Sequence, residues 1–255
     1  MLFNSIDFLI FLPVVFIVYW FVINRSLRLQ NLFLLVASYV FYGWWDWRFL
    51  SLLFLSSLLD YGVGRGLGVV TDRGKRKAIL CLSLIGNLGL LGIFKYFNFF
   101  MDSLIAAFSS IGVTLHPYSL RVVLPVGISF YTFQTMSYSL DIYFRKMHPT
   151  RDFISFMTFV SFFPQLVAGP IERASNLLPQ FFVPRSFDYD KARDGLRQIL
   201  WGFFKKIVIA DNAAILVNRI FDQSDTLPGS VLLLGSVYFA FQSYGDFSGY
   251  SGIGI

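Results

Sequence analysis

The sequence predicts an all-α fold of membrane-crossing helices, and three observations carry that prediction. Apolar residues make up 56% of the chain and charged residues 14%, with a mean hydropathy of +0.63. That is too greasy and too poor in charge for an ordinary soluble domain. Aromatic residues reach 19%, which suits interfacial belts as well as packed spans. The basic residues stand in polar stretches between apolar runs, so the net charge of +6 and pI near 9.4 read as positive-inside topology and not as nucleic-acid binding.

The elements follow in chain order. The run 6–23 has no basic region before it and no small-residue cleavage site, so it reads as a retained first span. Spans are expected over 29–45 and 49–63, both short against the roughly 17–25 residues a crossing needs, and then over 78–100 and 122–144. The stretch 153–167 is too short and too proline-marked for a crossing, which predicts a re-entrant helix. Segment 196–221 mixes apolar and charged residues. The last run, 231–255, stops at Ile255 with no stop-transfer charge and reads as cut within an element, leaving the polar groups of 244–251 without their helical partners. The whole, 1–255, reads as part of a single transmembrane domain.

Orientation follows from loop charge. The loop 65–77 holds Arg65, Arg73, Lys75, Arg76 and Lys77 against Asp72 alone, so it belongs in the cytoplasm. The loop 101–121 and the N-terminus then fall outside. Asp60 and Asp141 stand near span ends, which suits interfacial or paired carboxylates. Lone Cys81 lies in an apolar run, so a disulfide framework and a cysteine zinc site are both excluded. No metal ligand pattern, phosphate loop or nucleotide fingerprint occurs, and no bound cofactor is expected.

The stretch FFPQLVAGPIER (162–173) sets Gln165, Glu172 and Arg173 beside helix-breaking Pro164, Gly169 and Pro170. Backbone leaves the helix at membrane depth only where protein or a water-filled cavity satisfies the freed groups, so this reads as a funnel lining. A proline-punctuated hairpin with incidental polar groups is the plainer alternative. In YGDFSGYS (244–251), Gly245 and Gly249 suit close helix packing with Ser248 bonded to backbone, whereas Asp246 is costly unless paired or solvated. Asp246, Ser248 and Tyr250 are therefore funnel candidates. Lys205, Lys206 and Asp211 lie in an otherwise apolar helix, where snorkelling to an interface is the favoured reading. Contact with an anionic donor or with lipid headgroups on the cytoplasmic side is the other. His116 and His148 each precede a proline in a polar loop, where neither is placed to act as a general base.

Together ASYVFYGWWDWRFL (37–50), LPVGISFYTFQTMSYSLDIY (124–143), FFPQLVAGPIE (162–172), FKKIVIADN (204–212) and YGDFSGYS resemble, in this order, the membrane-bound O-acyltransferase family, in the branch of the bacterial alginate acetylation subunit. The resemblance implies a multi-pass inner-membrane enzyme that takes an acyl group, acetyl in this branch, from a cytoplasmic thioester such as acetyl-CoA or an acyl-carrier protein. The acceptor it implies is a hydroxyl of an exported polysaccharide or a relay protein, with an external acetylation partner. It also implies that the catalytic histidine lies beyond Ile255, that this chain is the N-terminal portion, and that alone it is inactive. Gly252 departs from the family, which usually has Asp there, and Gln165 stands where relatives often have His. A non-catalytic scaffold, transporter or inactive gene fragment is the competing class. A transporter would be expected to show paired intramembrane charges or inverted repeats, and the sequence displays neither.

Overall fold

The computed structural model describes residues 1, 3–110, 112, 124–166 and 172–254. Among them there is helix and no strand, as the composition predicts. The helices are α1 (Ile6–Ile17), α2 (Leu27–Asp46), α3 (Leu50–Val69), α4 (Arg73–Leu91), α5 (Phe97–Ser110) and α6 (Ile128–Tyr143). They continue with α7 (Phe153–Ser161), α8 (Phe163–Leu166), α9 (Ala174–Leu177), α10 (Tyr189–Phe203), α11 (Asp211–Phe221) and α12 (Gly229–Gly254). Wide π turns extend α1 over Val18–Val22, join α4 to α5 over Gly92–Tyr96 and join α10 to α11 over Phe204–Ala210.

Short polar residues start several helices where the first N–H groups lack partners. Ser5 accepts from Phe8 N at the head of α1, Asp72 from Lys75 N at α4, and Asp188 from Asp190 N and Lys191 N at α10. Gly127 opens α6 at φ 78°, a left-handed backbone that costs glycine little.

The chain forms two compact units, interleaved along the sequence. The first holds Met1–Trp45, Phe162–Ile171 and Val183–Ile255. Its apolar core joins Phe8 and Val15 of α1, Ala37 and Phe41 of α2, Phe163 of α8 and Ile253 of α12. The helix break expected at the proline cluster falls at Phe162, just before Pro164, which can neither donate to nor fit within a continuing helix. The N–H of Phe163 then donates to Ser38 Oγ of α2 at 3.2 Å, so the freed group is satisfied by protein.

The second unit holds Asp46–Ser161 and Glu172–Phe182. Here α3, α4 and α6 pack on one another, with α7 beside α3 and α6. Tyr138, Phe156 and Phe159 are buried among them. At one end Arg76 donates to the carbonyls of Leu67 and Val70 and to those of Ile142 and Tyr143. A cation on the free carbonyls at two helix ends complements both dipoles, so Arg76 is a structural clamp and not only a topological charge. At the turn before α3, hydrogen bonds from Arg48 hold the exposed Asp46 carboxyl below its ordinary pKa.

The structure moves several expected boundaries. The helix read as 78–100 runs unbroken over Arg73–Ser110, 38 residues, and is long and apolar enough to cross a membrane. Ile6–Val22 and Phe153–Leu166 are apolar but shorter. The remaining predicted spans are helical, although no other described helix combines that length and hydropathy. Arg65 lies within α3 and Arg73 opens α4, so the connection between them is shorter than the expected 65–77 loop. The first part of the 101–121 loop is helix as far as Ser110. The mixed segment begins at Tyr189, well before 196. Asp60 stands in the middle of α3, fully buried, and not at an interface.

Candidate functional site

The site forms where the π turn Phe204–Ala210 meets α12, inside the first unit. Three glycines allow the approach. A Cβ on Gly249 would lie 3.0 Å from Gly202 O and 3.2 Å from Lys206 N. One on Gly245 would lie 3.1 Å from Ala210 Cβ and 3.2 Å from Lys205 O. With backbones this close, short side chains on α12 reach the lysines of the turn. Such π turns recur at functional sites.

Lys206 Nζ donates to Asp246 Oδ1 at 2.6 Å and to Asp211 Oδ1 at 2.7 Å, and lies 5.3 Å from the Tyr250 ring centroid. Its side chain is only 12% exposed, against 33% for Asp246 and 41% for Asp211. Its ammonium faces two carboxylates and an aromatic ring. Lys205 Nζ donates to Ser248 Oγ at 2.6 Å and meets no carboxylate among the described residues. Ser248 bonds this lysine instead of backbone, while the close packing expected of Gly245 and Gly249 is present.

Residues that the sequence suggested as two groups thus form one. Lys205, Lys206 and Asp211 stood apart as a donor-side group, with Asp246, Ser248 and Tyr250 lining a funnel; the structure joins all six. Within 244–251, Asp246 and Ser248 have lysine partners and the backbone is helical as part of α12. The sequence displayed no charge pairing, yet Lys206 pairs with two aspartates. Residue spacing could not reveal it, since Lys206 and Asp246 are 40 positions apart.

The rest of the funnel motif divides. Gln165 lies on α8, which packs against α12, and its Oε1 is buried with no partner among the described residues. The same holds for Gln242 Oε1 and Ser251 Oγ on α12, which the sequence reading did not single out. Gln242 stands one turn before Asp246 on its face, and that i, i+4 spacing was the available signal. Glu172 is half-buried and Arg173 exposed at the head of α9, both in the second unit. Gly169, Pro170 and His116 lie outside the described residues. His148 is exposed in the loop after α6. Among the described residues no His, Cys, Asp and Glu group could hold a metal ion.

No protein-family profile matches the chain. Individual proteins do, along all of it. The chain is 40% identical to a probable alginate O-acetylase of Pseudomonas syringae pv. tomato, over 100% of its own residues and 48% of that protein. It is 39% identical to the probable alginate O-acetylase of Azotobacter vinelandii, covering 50% of it. It is 34% identical to a peptidoglycan O-acetyltransferase of Helicobacter pylori, covering 53%. The chain thus spans about half the length of the curated relatives it matches, and over every one of its own residues it is a homologue of the alginate O-acetylases.

Proposed function

We propose that the chain is the N-terminal portion of a multi-pass inner-membrane O-acyltransferase of the membrane-bound O-acyltransferase type. It moves an acyl group, acetyl, from a cytoplasmic thioester to a hydroxyl of an exported polysaccharide or a relay protein. The donor is acetyl-CoA or an acyl-carrier protein, and an external acetylation partner receives or presents the product. The relatives' names support the reaction class. The observation that carries it here is the half-buried Lys206 between Asp211 and Asp246, with Lys205 beside it.

In this reading Lys206 bridges two carboxylates and fixes the π turn against α12. Lys205, with only a hydroxyl partner, is the group able to meet an anionic donor or the negative charge that develops on a thioester oxygen under attack. An alcohol is a poor nucleophile at neutral pH and needs a general base. His148 is exposed in a loop and Gln165 cannot accept a proton in that role. We therefore place the base outside these 255 residues, and the chain alone is inactive.

The test joins the remaining part of an alginate O-acetylase after Ser251 and measures acetyl transfer from a thioester to polysaccharide in membranes. The joined protein should turn over, Lys205→Met should lower the rate about 10²–10³-fold, and the 255-residue chain should give none. Acceptor-dependent turnover by the chain alone would place the chemistry wrongly. The Lys206–Asp246 pair also fits a transport path; solute uptake with no acetyl transfer in the joined protein would favour that reading.

A further inference from the structure

The second unit carries a buried charge that the proposed acyl transfer does not use. Asp60 is 0% exposed in the middle of α3. Its Oδ1 accepts from Ser83 Oγ of α4 at 2.5 Å and from Ser139 Oγ of α6 at 2.6 Å, and its Oδ2 accepts from Asn87 Nδ2 of α4 at 2.5 Å. Asn87 Oδ1 in turn accepts from Ser56 Oγ at 2.8 Å and Thr135 Oγ1 at 3.5 Å. All five partners are themselves buried.

Three donors from two neighbouring helices converge on this one carboxyl group. None of those donors carries a charge. The cations of the three helices are engaged elsewhere or lie in the open: Arg76 binds the helix-end carbonyls, Arg65 is exposed, and Lys95 is exposed beside Ser129. No ion pair to Asp60 occurs among the described residues. A buried anion with no counter-charge is expensive in any interior and more so at membrane depth, where an ionisable residue is a candidate site with a partner to be named.

We propose that the Asp60 cluster binds a sodium ion. Each serine hydroxyl spends its one proton on the carboxylate and retains lone pairs. Ser83 Oγ and Ser139 Oγ, with a carboxylate oxygen of Asp60, thus supply hard oxygen ligands from three helices. One negative charge among neutral oxygens balances a monovalent ion and would leave a divalent one with a net buried charge. Bound there, the ion ties α3, α4 and α6 together through one centre.

The experiment uses the purified 255-residue chain in detergent, with sodium chloride exchanged for choline chloride at constant ionic strength. Sodium should raise the thermal unfolding midpoint by roughly 5 °C, saturably, and potassium should do so less. Asp60→Asn should abolish the sodium effect. If that variant does not fold, Ser139→Ala, which removes one ligand and leaves the charge, should raise the half-saturating sodium concentration about tenfold. A midpoint indifferent to sodium, or a sodium effect that survives unchanged in Asp60→Asn or Ser139→Ala, overturns the proposal. So does a midpoint that ignores sodium but rises on acidification only while Asp60 is present, which would make the neutralising partner a proton.

Discussion

Lys206 has two carboxylates and Lys205 has none, and that asymmetry separates their roles. The same neighbourhood includes Gly252. A Cβ at position 252 would lie 3.8 Å from Lys205 Nζ with nothing nearer, so a longer side chain fits there. A carboxylate in that place would pair with the lysine that now bonds only Ser248. Gly252→Asp should therefore lower the rate at which Lys205 is modified by an amine-reactive probe several-fold relative to Gly252→Asn, read by mass spectrometry. Equal modification in the two variants would mean that the side chain at 252 points elsewhere. The stability gain should be small, within the 0–1 kcal/mol typical of partly exposed pairs.

At the scale of elements, the contact between α12 and the π turn depends on glycine, because backbone atoms on the far side cannot step aside. Gly249→Ala sets a methyl 3.0 Å from a carbonyl and 3.2 Å from a backbone nitrogen, so α12 must shift. Overpacking of this kind costs about 1–3 kcal/mol, and the shift lengthens the reach from Asp246 to Lys206. Gly229→Ala, with nothing within 4 Å of the new carbon, should leave the unfolding midpoint unchanged or slightly raised and serves as the control. Equal midpoints for the two variants would remove the packing argument. The helices themselves were legible, since long apolar runs leave the backbone no other way to satisfy its groups. Their ends were less so. Charged residues such as Arg65 and Arg73 read as loop, yet the helix continues through them, because a helix end is set by capping and not by polarity alone. The site was legible as residue types and illegible as a constellation. Lys206 finds Asp246, and Asp60 finds Ser139, only once separate helices pack.

Across the whole molecule, polarity is arranged inside out. Asp60, Asn87, Ser83 and Thr135 are wholly buried, while Ile6, Ile85, Leu200, Leu233 and Phe247 are between 69% and 77% exposed. Large apolar side chains this exposed suit a lipid-facing surface, and buried polar contacts between helices are how membrane proteins associate when lipid surrounds them. The helix Arg73–Ser110 gives this arrangement a direction to test. Its 38 residues at 1.5 Å each extend about 57 Å, nearly twice the roughly 30 Å hydrocarbon core, so it is long enough to cross a bilayer with an end on either side. The first end carries Arg73, Lys75, Arg76 and Lys77 and the last turns carry no basic residue, so the expected orientation has the first end in the cytoplasm and Ser110 outside. Cysteine at position 110, in a Cys81→Ser background, should react with an impermeant thiol reagent in intact cells, and cysteine at position 75 should react only after the membrane is opened. Labelling at 75 but not at 110 in intact cells would invert the orientation.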